Sequence, residues 1–587
     1  MKLTKGIITF LAVALAVVVS VTGSYALTIY PIDRVAILEG QRFDFKVEFD
    51  SVVNIQDVKV TINGKDYTRV FGKKAEFIEK EKGVSPEASA IILRDVEIKT
   101  HGKYTVVADD GMNRKMVTWE VYPIDSKGKK TKNIILMIGD GMSIGHRTAA
   151  RILSKGITEG KYHGKLAMDD MPHMALVGTS GVDSIITDSA NSASAYATGH
   201  KSSVNALGVY ADRTPDPFDD PKVETITEYV KRKYKKAVGI VTDAEVQDAT
   251  PAAMVAHTRR RATKAEITKM LFDSQVDVLL GGGSAYFLPM SQPGSKRKDD
   301  TDYISMFQSA GYALATDKTE LKDMASNPKA MKLLGLFHLG NMDCALDNLF
   351  LRKGTTGKFP NQPGLVEMTM AALDVLSRHK KGFVLMVEGA LIDKASHPLD
   401  WERAVIDTIQ FDKAVGLAKG FAEKRKDTLV LVIADHTHGI NIVGTIDDNK
   451  EAEQMRDKIG VYADAGYPNY KDEDKDGYPD SVDVSKRLAI FFNNYPDHYE
   501  TFRPKLDGRF VPAVKNDKGH YVANEKYKDV PGAMLRTGNL PRKSSDGVHT
   551  ADDVVLTADG PGAERVHGFM DNTEVFRVMV NALSSGK

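Results

Sequence analysis

The sequence has very little cysteine and no excess of charge of either sign. Cys344 is the only cysteine among 587 residues, so no disulfide can form within the chain. Lysine and arginine total 79, as do aspartate and glutamate. This balance removes the overall electrostatic case for binding nucleic acid. The length by itself predicts more than one domain.

Long hydrophobic runs are also missing, with one exception at the start of the chain. Lys2 and Lys5 precede an apolar stretch at 7–21, and residues 24–26 (SYA) offer a site for cleavage after a small residue. We therefore expect residues 1–26 to be a secretory signal peptide that sends the chain to the periplasm or out of the cell. The alternative is an uncleaved membrane anchor. We expect no membrane span in the mature chain.

Residues 27–125 have the sequence pattern of an all-β domain. Residues 101–106 (HGKYTV) are similar to the late-strand motif of immunoglobulin-like domains, which predicts an immunoglobulin-like β-sandwich. A polar, basic linker is expected at 126–131. The domain carries no catalytic cluster, so a spacer or packing role is favoured over an adhesin. Short β-rich segments alternate with turn residues such as Asn63 and Gly64, and these segments are 58–62, 90–93 and 104–107.

From residue 132 onward, near-continuous apolar runs end in polar or acidic residues. Such runs predict strands that are buried on both faces, as in a parallel sheet. We therefore predict an α/β domain over 132–587, with a mostly parallel central sheet flanked by helices. About a hundred residues of different texture, at about 440–545, are expected to form an insertion that affects access to a site. The apolar runs are 134–138, 237–241, 383–387 and 429–433.

The carboxyl ends of these strands would bring many metal-ligand side chains to one edge of the sheet, where ligands bind in open α/β folds. So many carboxylates would repel one another strongly without cations. Carboxylates and imidazoles, with no thiolate at hand, suit zinc and magnesium better than a soft metal. The residues that this edge would gather are Asp140, Glu388, Asp393, His397, Asp435 and His436.

Ser189 lies where the apolar pair Ile185 and Ile186 gives way to an Ala- and Ser-rich segment that Gly199 could end. This pattern predicts a serine in the first turn of a helix. Free amides and the helix dipole favour an anion there, so the serine could attack a phosphate bound by the same helix. An ordinary helix cap would explain the segment taken alone. The metal-ligand residues elsewhere favour the catalytic interpretation.

Taken together, these motifs resemble those of the bacterial alkaline phosphatases. They occur in the family's order and extend from about residue 132 to the end of the chain. The resemblance implies an alkaline-phosphatase-like fold and hydrolysis of phosphate monoesters through a phosphoserine, releasing inorganic phosphate and an alcohol. The matching segments are 133–142 (NIILMIGDGM), 187–208 (TDSANSASAYATGHKSSVNALG), 245–257 (EVQDATPAAMVAH), 387–397 (VEGALIDKASH), 434–439 (ADHTHG) and 547–550 (GVHT).

The resemblance also implies a role for each site residue. Ser189 matches the nucleophile, and Arg261 matches the substrate-binding arginine, although Arg259 and Arg260 lie beside it. Asp248 and Lys394 match a pair found near the magnesium and the phosphate. His438, His200 and His257 are interpreted as packing or supporting residues. The implied metal ligands are Asp393, His397 and His549 for one zinc, Asp140, Asp435 and His436 for a second zinc, and Asp140, Thr250 and Glu388 for magnesium.

Two other functions stay open. One is a phosphodiesterase or sulfatase of the same superfamily, whose members often use threonine or a modified cysteine as the nucleophile. The other is a surface-binding protein with an inactive catalytic domain. Ser189, Arg261 and the complete ligand set favour the monoesterase, with small phosphate monoesters as substrates and a homodimer as one option for assembly.

Residues 472–483 follow the spacing of an EF-hand calcium loop. Carboxylates occupy loop positions one, three, five, nine and twelve, glycine occupies six, and Tyr478 at seven would contribute its carbonyl. The alternative is a solvated acidic turn. Residues 484–492 (VSKRLAIFF) would be the helix that often follows such a loop. The carboxylates are Asp472, Asp474, Asp476, Asp480 and Asp483.

Overall fold

The computed structural model describes residues 27–125, 130–447 and 470–583. The predicted signal segment 1–26 and residues 126–129 of the predicted linker lie outside the described residues. Among the helices that are described, none combines the length and the apolar character that crossing a membrane requires.

Residues 27–125 form two sheets and one five-residue helix, α1 (Tyr67–Phe71). The strands are β1 (Thr28–Tyr30), β2 (Val35–Leu38), β3 (Arg42–Glu48), β4 (Lys59–Ile62), β5 (Lys65–Asp66), β6 (Glu76–Ile78), β7 (Ala90–Glu97), β8 (Gly102–Asp109) and β9 (Arg114–Tyr122). One sheet has the order β1-β3-β7-β6 and the other β2-β9-β8-β4-β5. Phe45 of the first sheet and Trp119 of the second meet edge to face at 6.0 Å, inside one shared hydrophobic core.

The predicted β segments of this region lie in strands except for Val58, which precedes β4, and Asn63 and Gly64 form the turn between β4 and β5. Both turn residues have positive φ, 49° and 75°, which is the conformation that a two-residue hairpin turn requires. The local sequence therefore determines where these strands end.

The other described residues, 130–447 and 470–583, add eighteen strands. They are β10 (Asn133–Gly139), β11 (Ile157–Thr158), β12 (Lys161–Tyr162), β13 (His173–Gly178), β14 (Ala237–Glu245), β15 (Val278–Gly282), β16 (Ala313–Ala315), β17 (Leu333–Leu336), β18 (Phe383–Gly389), β19 (Thr428–Ile433), β20 (Ile440–Asp447), β21 (Lys486–Phe492), β22 (His498–Glu500), β23 (Ala513–Lys515), β24 (Tyr521–Ala523), β25 (Met534–Arg536), β26 (Val554–Asp559) and β27 (His567–Asp571).

Helices cover the strands of this larger region. They are α2 (Ile144–Lys155), α3 (Ser189–Thr198), α4 (Ile226–Tyr234), α5 (Ala249–Ala253), α6 (Lys264–Ser274), α7 (Tyr303–Ser309), α8 (Lys318–Ser326), α9 (Leu365–Leu376), α10 (Leu391–Ser396), α11 (Trp401–Arg425) and α12 (Glu574–Ala582). Short 3-10 turns lie at Ser284–Tyr286, Glu525–Tyr527 and Ala563–Arg565, and a π-helical turn lies at Leu346–Leu351.

A ten-stranded sheet with the order β16-β17-β15-β14-β18-β10-β19-β26-β13-β27 forms the centre of this region. Strand β26 is antiparallel to both of its neighbours, and every other adjacent pair is parallel. The prediction of a mostly parallel α/β sheet is thus confirmed. The four predicted apolar runs lie in β10, β14, β18 and β19, which are neighbours, and every residue of these strands is buried.

The register of the four central strands determines which side chains meet at their carboxyl ends. Ile138 lies beside Glu388 on one side and beside Ile433 on the other. Asp140 and Asp435, each two residues beyond these positions, therefore leave the sheet at the same edge as Glu388. This edge is where the candidate site is found.

The structure shows that the predicted helix at 484–492 is wrong. Residues Lys486–Phe492 form β21, which pairs antiparallel with β20. A short apolar run does not distinguish helix from strand by periodicity, and here the available pairing with β20 determines the outcome. Leu488 and Ile490 are buried, while Arg487 makes a buried ion pair with Glu402 of α11.

Candidate active site

Ser189 is the first residue of α3, as the sequence predicted. The side chain of Asp188 caps the helix by accepting a hydrogen bond from the amide of Asn191 at 3.0 Å. Gly199 ends the helix in the left-handed conformation, with φ 74°. Ser189 is 3% exposed, and its Oγ lies 3.2 Å from Nε2 of His436. The serine is therefore held at a helix N-terminus beside a candidate metal ligand.

Asp140, Asp435 and His436 form the group nearest the serine, with ligand atoms that all lie within 4.8 Å of one another. The amides of Gly141 and His436 donate to Oδ1 of Asp435 at 3.1 and 3.0 Å, which orients that carboxylate. Its other oxygen, Asp435 Oδ2, is buried and finds no hydrogen-bond partner among the described residues, as is true of Oδ1 of Asp140. Burial and the nearby Asp140 raise the pKa of Asp435 well above its usual range.

A second group joins Asp393, His397 and His549, and it also includes His438. Nε2 of His438, His397 and His549 lie 2.8, 3.3 and 3.4 Å from Oδ1 of Asp393. Burial alone would raise the pKa of Asp393, but His397 and Lys394 outweigh it and hold the pKa well below its usual range. The group is therefore an anionic carboxylate surrounded by imidazoles.

The outer nitrogens of two of these histidines bind backbone carbonyls. Nδ1 of His397 donates to the carbonyl of Gly547 at 2.8 Å, and Nδ1 of His549 donates to the carbonyl of Thr187 at 2.9 Å. A carbonyl only accepts, so each Nδ1 carries the proton and each Nε2 keeps a lone pair for a metal. The contact from His549 also ties this group to the segment that precedes Ser189.

Glu388 and Thr250 lie in the third predicted ligand set. Oε2 of Glu388 accepts a hydrogen bond from Thr242 at 2.6 Å. Burial and then Asp140 raise the pKa of Glu388 well above its usual range. Oγ1 of Thr250, in α5, is buried and has no hydrogen-bond partner among the described residues. A cation near these oxygens would satisfy both groups.

Arg261 lies between two carboxylates. Its guanidinium donates to Asp248 at 2.9 Å and to Asp188, the cap of α3, at 3.3 Å. Lys394 contacts the other oxygen of Asp248 at 3.2 Å. Burial alone would raise the pKa of Asp248, but Lys394 and Arg261 hold it well below its usual range. Arg260 is exposed, whereas Arg259 and Arg261, on either side of it, both form ion pairs with aspartates.

Sequence reasoning missed several supporting residues. Besides Thr242, Asp243 accepts hydrogen bonds from the amides of Ala390 and Leu391 at 2.7 and 3.2 Å, which holds the turn after Glu388. The available signal in the sequence was the position of Thr242 and Asp243 directly after the apolar run 237–241. His438 was interpreted as a packing or supporting residue, and its Nε2 lies closer to Oδ1 of Asp393 than the Nε2 atoms of His397 and His549 do.

The donor set fits divalent metal ions. Buried oxygens of Asp140, Asp435 and Thr250 lack a hydrogen-bond partner among the described residues, and His397 and His549 each keep an Nε2 lone pair for a metal. Buried polar atoms are normally hydrogen-bonded, so these exceptions indicate ligands that are not protein atoms. Oxygen and imidazole donors are those that zinc and magnesium prefer.

The acidic loop at 472–483 brings together only part of its predicted ligands. Carboxylate oxygens of Asp472, Asp474 and Asp480 lie within 4.8 Å of one another. Asp476 is instead paired with Lys413 at 2.5 Å, and Asp483 accepts hydrogen bonds from Ser485. The hydroxyl of Tyr478 is buried and donates to Asp412 of α11 at 2.9 Å, which anchors the loop to the larger region.

Comparison with known proteins assigns the chain to a family. The alkaline phosphatase family model matches residues 131–585. Alkaline phosphatase 4 of Bacillus subtilis is 31% identical over 477 residues, which cover 78% of this chain and 89% of that protein. Alkaline phosphatase of Escherichia coli is 34% identical over 388 residues, covering 59% and 79%. The crystal structure of Thermus thermophilus alkaline phosphatase superposes with a TM-score of 0.54 at 25% identity, covering 78% and 93%. The chain therefore belongs to the alkaline phosphatase family.

Proposed function

We propose that this chain hydrolyses phosphate monoesters, the activity of its family, through Ser189. The observation that carries the proposal is the position of the serine. Its Oγ lies at the N-terminus of α3, 3.2 Å from His436 and beside the two groups of candidate metal-ligand side chains. Free helix amides favour a phosphate at that point.

In the first step, Oγ of Ser189 bonds to phosphorus as the bond from phosphorus to the alcohol oxygen breaks. Water then attacks phosphorus, which breaks the serine–phosphorus bond and releases inorganic phosphate. Arg261 has a planar fork that can bind two phosphate oxygens, and its contacts with Asp188 and Asp248 restrict its orientation. Phosphoryl transfer depends mainly on such positioning and on charge stabilisation.

The proposal includes two zinc ions and one magnesium ion. Asp393, His397 and His549 would hold one zinc, with His438 supporting Asp393. Asp140, Asp435 and His436 would hold the other, and Asp140, Thr250 and Glu388 would hold magnesium. When bound, such ions stabilise a serine alkoxide and the charge on phosphate and leaving-group oxygens. The unpaired buried oxygens of Asp140, Asp435 and Thr250 support this assignment.

Replacing the nucleophile tests the proposal. Ser189→Ala should lower the turnover of p-nitrophenyl phosphate by about three to six orders of magnitude and leave the metal content unchanged, because the metal ligands stay in place. The matched control is Ser377→Ala, since Ser377 ends α9 just before β18 begins, at the opposite edge of the sheet. Near-normal turnover in Ser189→Ala would refute the assignment.

The two competing functions can be separated by substrate and by assay. A phosphodiesterase would prefer bis-p-nitrophenyl phosphate, and a sulfatase would prefer p-nitrophenyl sulfate. Ser189 together with Arg261 supports the monoester. A protein with an inactive catalytic domain would hydrolyse none of the three compounds even after zinc and magnesium are added.

The proposal for the N-terminal part is an immunoglobulin-like sandwich at 27–125, joined by a linker at 126–131 to the catalytic domain at 132–587. It is supported by the two sheets that share one core. A signal peptide at 1–26 would send the enzyme to the periplasm or the medium, which the mass of the exported protein would test. Sedimentation of that protein would test a homodimer.

For the acidic loop the proposal is a structural Ca²⁺ bound by Asp472, Asp474 and Asp480. Oδ1 of Asp472 is buried without a hydrogen-bond partner among the described residues, which supports a ligand there. Asp476 and Asp483 have other partners, so the loop would offer fewer carboxylates than the spacing of an EF-hand suggests.

A further inference from the structure

A buried cluster of charged residues joins the N-terminal region to the catalytic domain. Lys46 of β3 lies at its centre, with Nζ 3.1 Å from Glu48, 2.6 Å from Glu81 and 2.6 Å from Asp212. These four side chains are each 3% exposed or less. The Lys46 cluster is defined here as Lys46, Glu48, Glu81, Asp212, Arg213, Asp220 and Arg259.

The backbone of β3 is also hydrogen-bonded to the backbone of the catalytic domain near the cluster. The amide of Asp44 donates to the carbonyl of Lys222 at 2.8 Å, and the amide of Glu224 donates to the carbonyl of Arg42 at 2.9 Å. Strand β3 thus continues its hydrogen bonding onto residues 222–224 of the catalytic domain. The N-terminal region is therefore attached to the catalytic domain by backbone hydrogen bonds along β3, in addition to the covalent connection.

Gln41 extends this contact to the helix that carries the nucleophile. Its Nε2 donates to the carbonyl of Thr198, the last residue of α3, at 2.8 Å and to the carbonyl of Glu224 at 3.0 Å. Gln41 is 1% exposed. The N-terminal region thus contacts an element of the candidate active site directly.

The Lys46 cluster connects Lys46 to residues 259–261, the segment that carries Arg261. Asp212 uses Oδ2 for Lys46 and Oδ1 for Nη2 of Arg259, each at 2.6 Å. Nε of Arg259 also binds both oxygens of Asp220, at 2.9 and 3.0 Å. Arg261 follows two residues later and is tied by its amide to the carbonyl of Asn205 at 3.0 Å.

We propose that Lys46 is a positioning residue for Arg261, acting through Asp212 and Arg259. Lys46 touches neither substrate nor metal ligand. It neutralises Asp212 so that this carboxylate can stay buried and hold the guanidinium of Arg259 in one place. The fixed Arg259 in turn holds the segment from which Arg261 reaches the phosphate, so this inference rests on the role of Arg261 proposed above.

Electrostatics explains why a cation is needed at position 46. Burial by itself would lower the pKa of Lys46, but Glu48, Asp212 and Glu81 outweigh it and raise the pKa, so the lysine stays charged. Burial would likewise raise the pKa of Asp212, which Lys46 instead lowers. Without the lysine, Glu48, Glu81 and Asp212 would repel one another in a site that water cannot screen. Asp212 would then move or take up a proton, and Arg259 would lose an anionic partner.

The test measures phosphate binding in Lys46→Met, with the full chain loaded with zinc and magnesium. We expect the inhibition constant of inorganic phosphate and the KM for p-nitrophenyl phosphate to rise roughly tenfold, because small displacements of a binding group weaken its contacts strongly. Metal content should stay unchanged. Because the effect passes through Arg261, Lys46→Met combined with Arg261→Ala should bind phosphate no more weakly than Arg261→Ala alone.

A matched control and a second variant keep the outcome decisive. Lys80→Met removes a lysine from an exposed ion pair with Glu87 in the same region and should change neither constant. Asp212→Asn breaks the same route at nearly constant volume, and it decides the question if Lys46→Met does not fold.

Three results bear on the inference. A rise in both constants that disappears in the Arg261→Ala background supports it. Unchanged phosphate binding in folded Lys46→Met or Asp212→Asn, while Arg261→Ala alone weakens binding, overturns it. If Arg261→Ala itself leaves phosphate binding unchanged, the role of Arg261 is wrong and the inference is refuted with it.

Discussion

Two acidic groups in this molecule are similarly compact and differ in the side chains that compensate their charge. Asp140, Asp435 and His436 form the active-site group, and Asp212, Asp219 and Asp220 form the interdomain group. In both, the ligand atoms lie within 4.8 Å of one another. In the active-site group, buried carboxylate oxygens lack a hydrogen-bond partner among the described residues. In the interdomain group, Lys46 and Arg259 pair with Asp212, and Arg259 pairs with Asp220.

The contrast shows what separates a metal site from a structural ion cluster. Asp212 receives Lys46 and Arg259, and Asp220 receives Arg259, so their charges are compensated by side chains. Asp435 pairs with no lysine or arginine among the described residues, and burial and Asp140 raise its pKa well above the usual range. The number of clustered carboxylates is therefore a weak signal. Between these two groups, the stronger signal is whether a lysine or arginine pairs with the carboxylates.

The largest expected effect separates the two groups directly. Asp140→Asn should lower turnover by about four orders of magnitude and reduce the bound metal, because Asp140 lies in two predicted ligand sets. Asp212→Asn should keep the full metal content, since its partners are Lys46 and Arg259. Metal analysis of both purified variants beside the parent would check this. Loss of metal in Asp212→Asn would break the comparison.

His549→Ala sharpens the assignment within the active site. The variant should lose the zinc held with Asp393 and His397 and keep the ion at Asp140, Asp435 and His436, because the groups share no ligand. Losing several kcal/mol of charge stabilisation corresponds to a fall in turnover of about two to three orders of magnitude. Crystals soaked with zinc would show which position is occupied. Full occupancy at both would contradict the assignment.

A smaller effect is expected for the cation that faces substrate. Arg261→Lys should lower kcat/KM by about tenfold or more, because an ammonium cannot bind two phosphate oxygens with one planar group. Arg260, the exposed neighbour, provides the control, and Arg260→Lys should leave kcat/KM nearly unchanged. Steady-state kinetics with p-nitrophenyl phosphate would decide between them. If Arg260→Lys were the damaging change, the wrong arginine would have been assigned.

The smallest effect concerns the acidic loop at 472–483. It is intermediate between the two groups because Asp472 has an oxygen without a partner among the described residues, whereas Asp476 pairs with Lys413. Calcium should bind the parent and not Asp472→Asn, whereas Asp476→Asn should keep binding because Asp476 is already paired with Lys413. Turnover should stay unchanged in both variants. Titration calorimetry with Ca²⁺ would distinguish them, and equal uptake by the parent and Asp472→Asn would mean that the loop is only a charged turn.

Much of the site could be predicted because its residues lie at the ends of uniformly apolar strands. Burial on both faces is evident in the local sequence, and parallel pairing then brings the strand ends to one edge. The position of Ser189 followed from Asp188 and Gly199, which cap the helix locally. The resemblance to a known family supplied the individual roles.

The remaining features depend on partners that are distant in sequence. Lys46 and Asp212 are 166 positions apart, and neither residue carries a local sign of the other. Strand β21 was predicted as a helix because a helix often follows an EF-hand loop, and its short apolar run does not exclude a strand that pairs with β20. The EF-hand spacing of the acidic loop is visible in the local sequence too. The ion pair between Asp476 and Lys413 of α11 is not, and it leaves Asp476 outside the group of carboxylates that lie together.

The position of β13 in the central sheet has a consequence for the synthesis of the protein. Its two neighbours, β26 and β27, both lie within residues 554–571, whereas β13 ends at Gly178. On the ribosome, β13 and helix α3 therefore appear long before the strands that pair with this edge. Phe576 of α12, which packs beside Gly199 at the end of α3, comes later still. We expect a growing chain to gain its enzymatic competence only when almost its whole length has been translated.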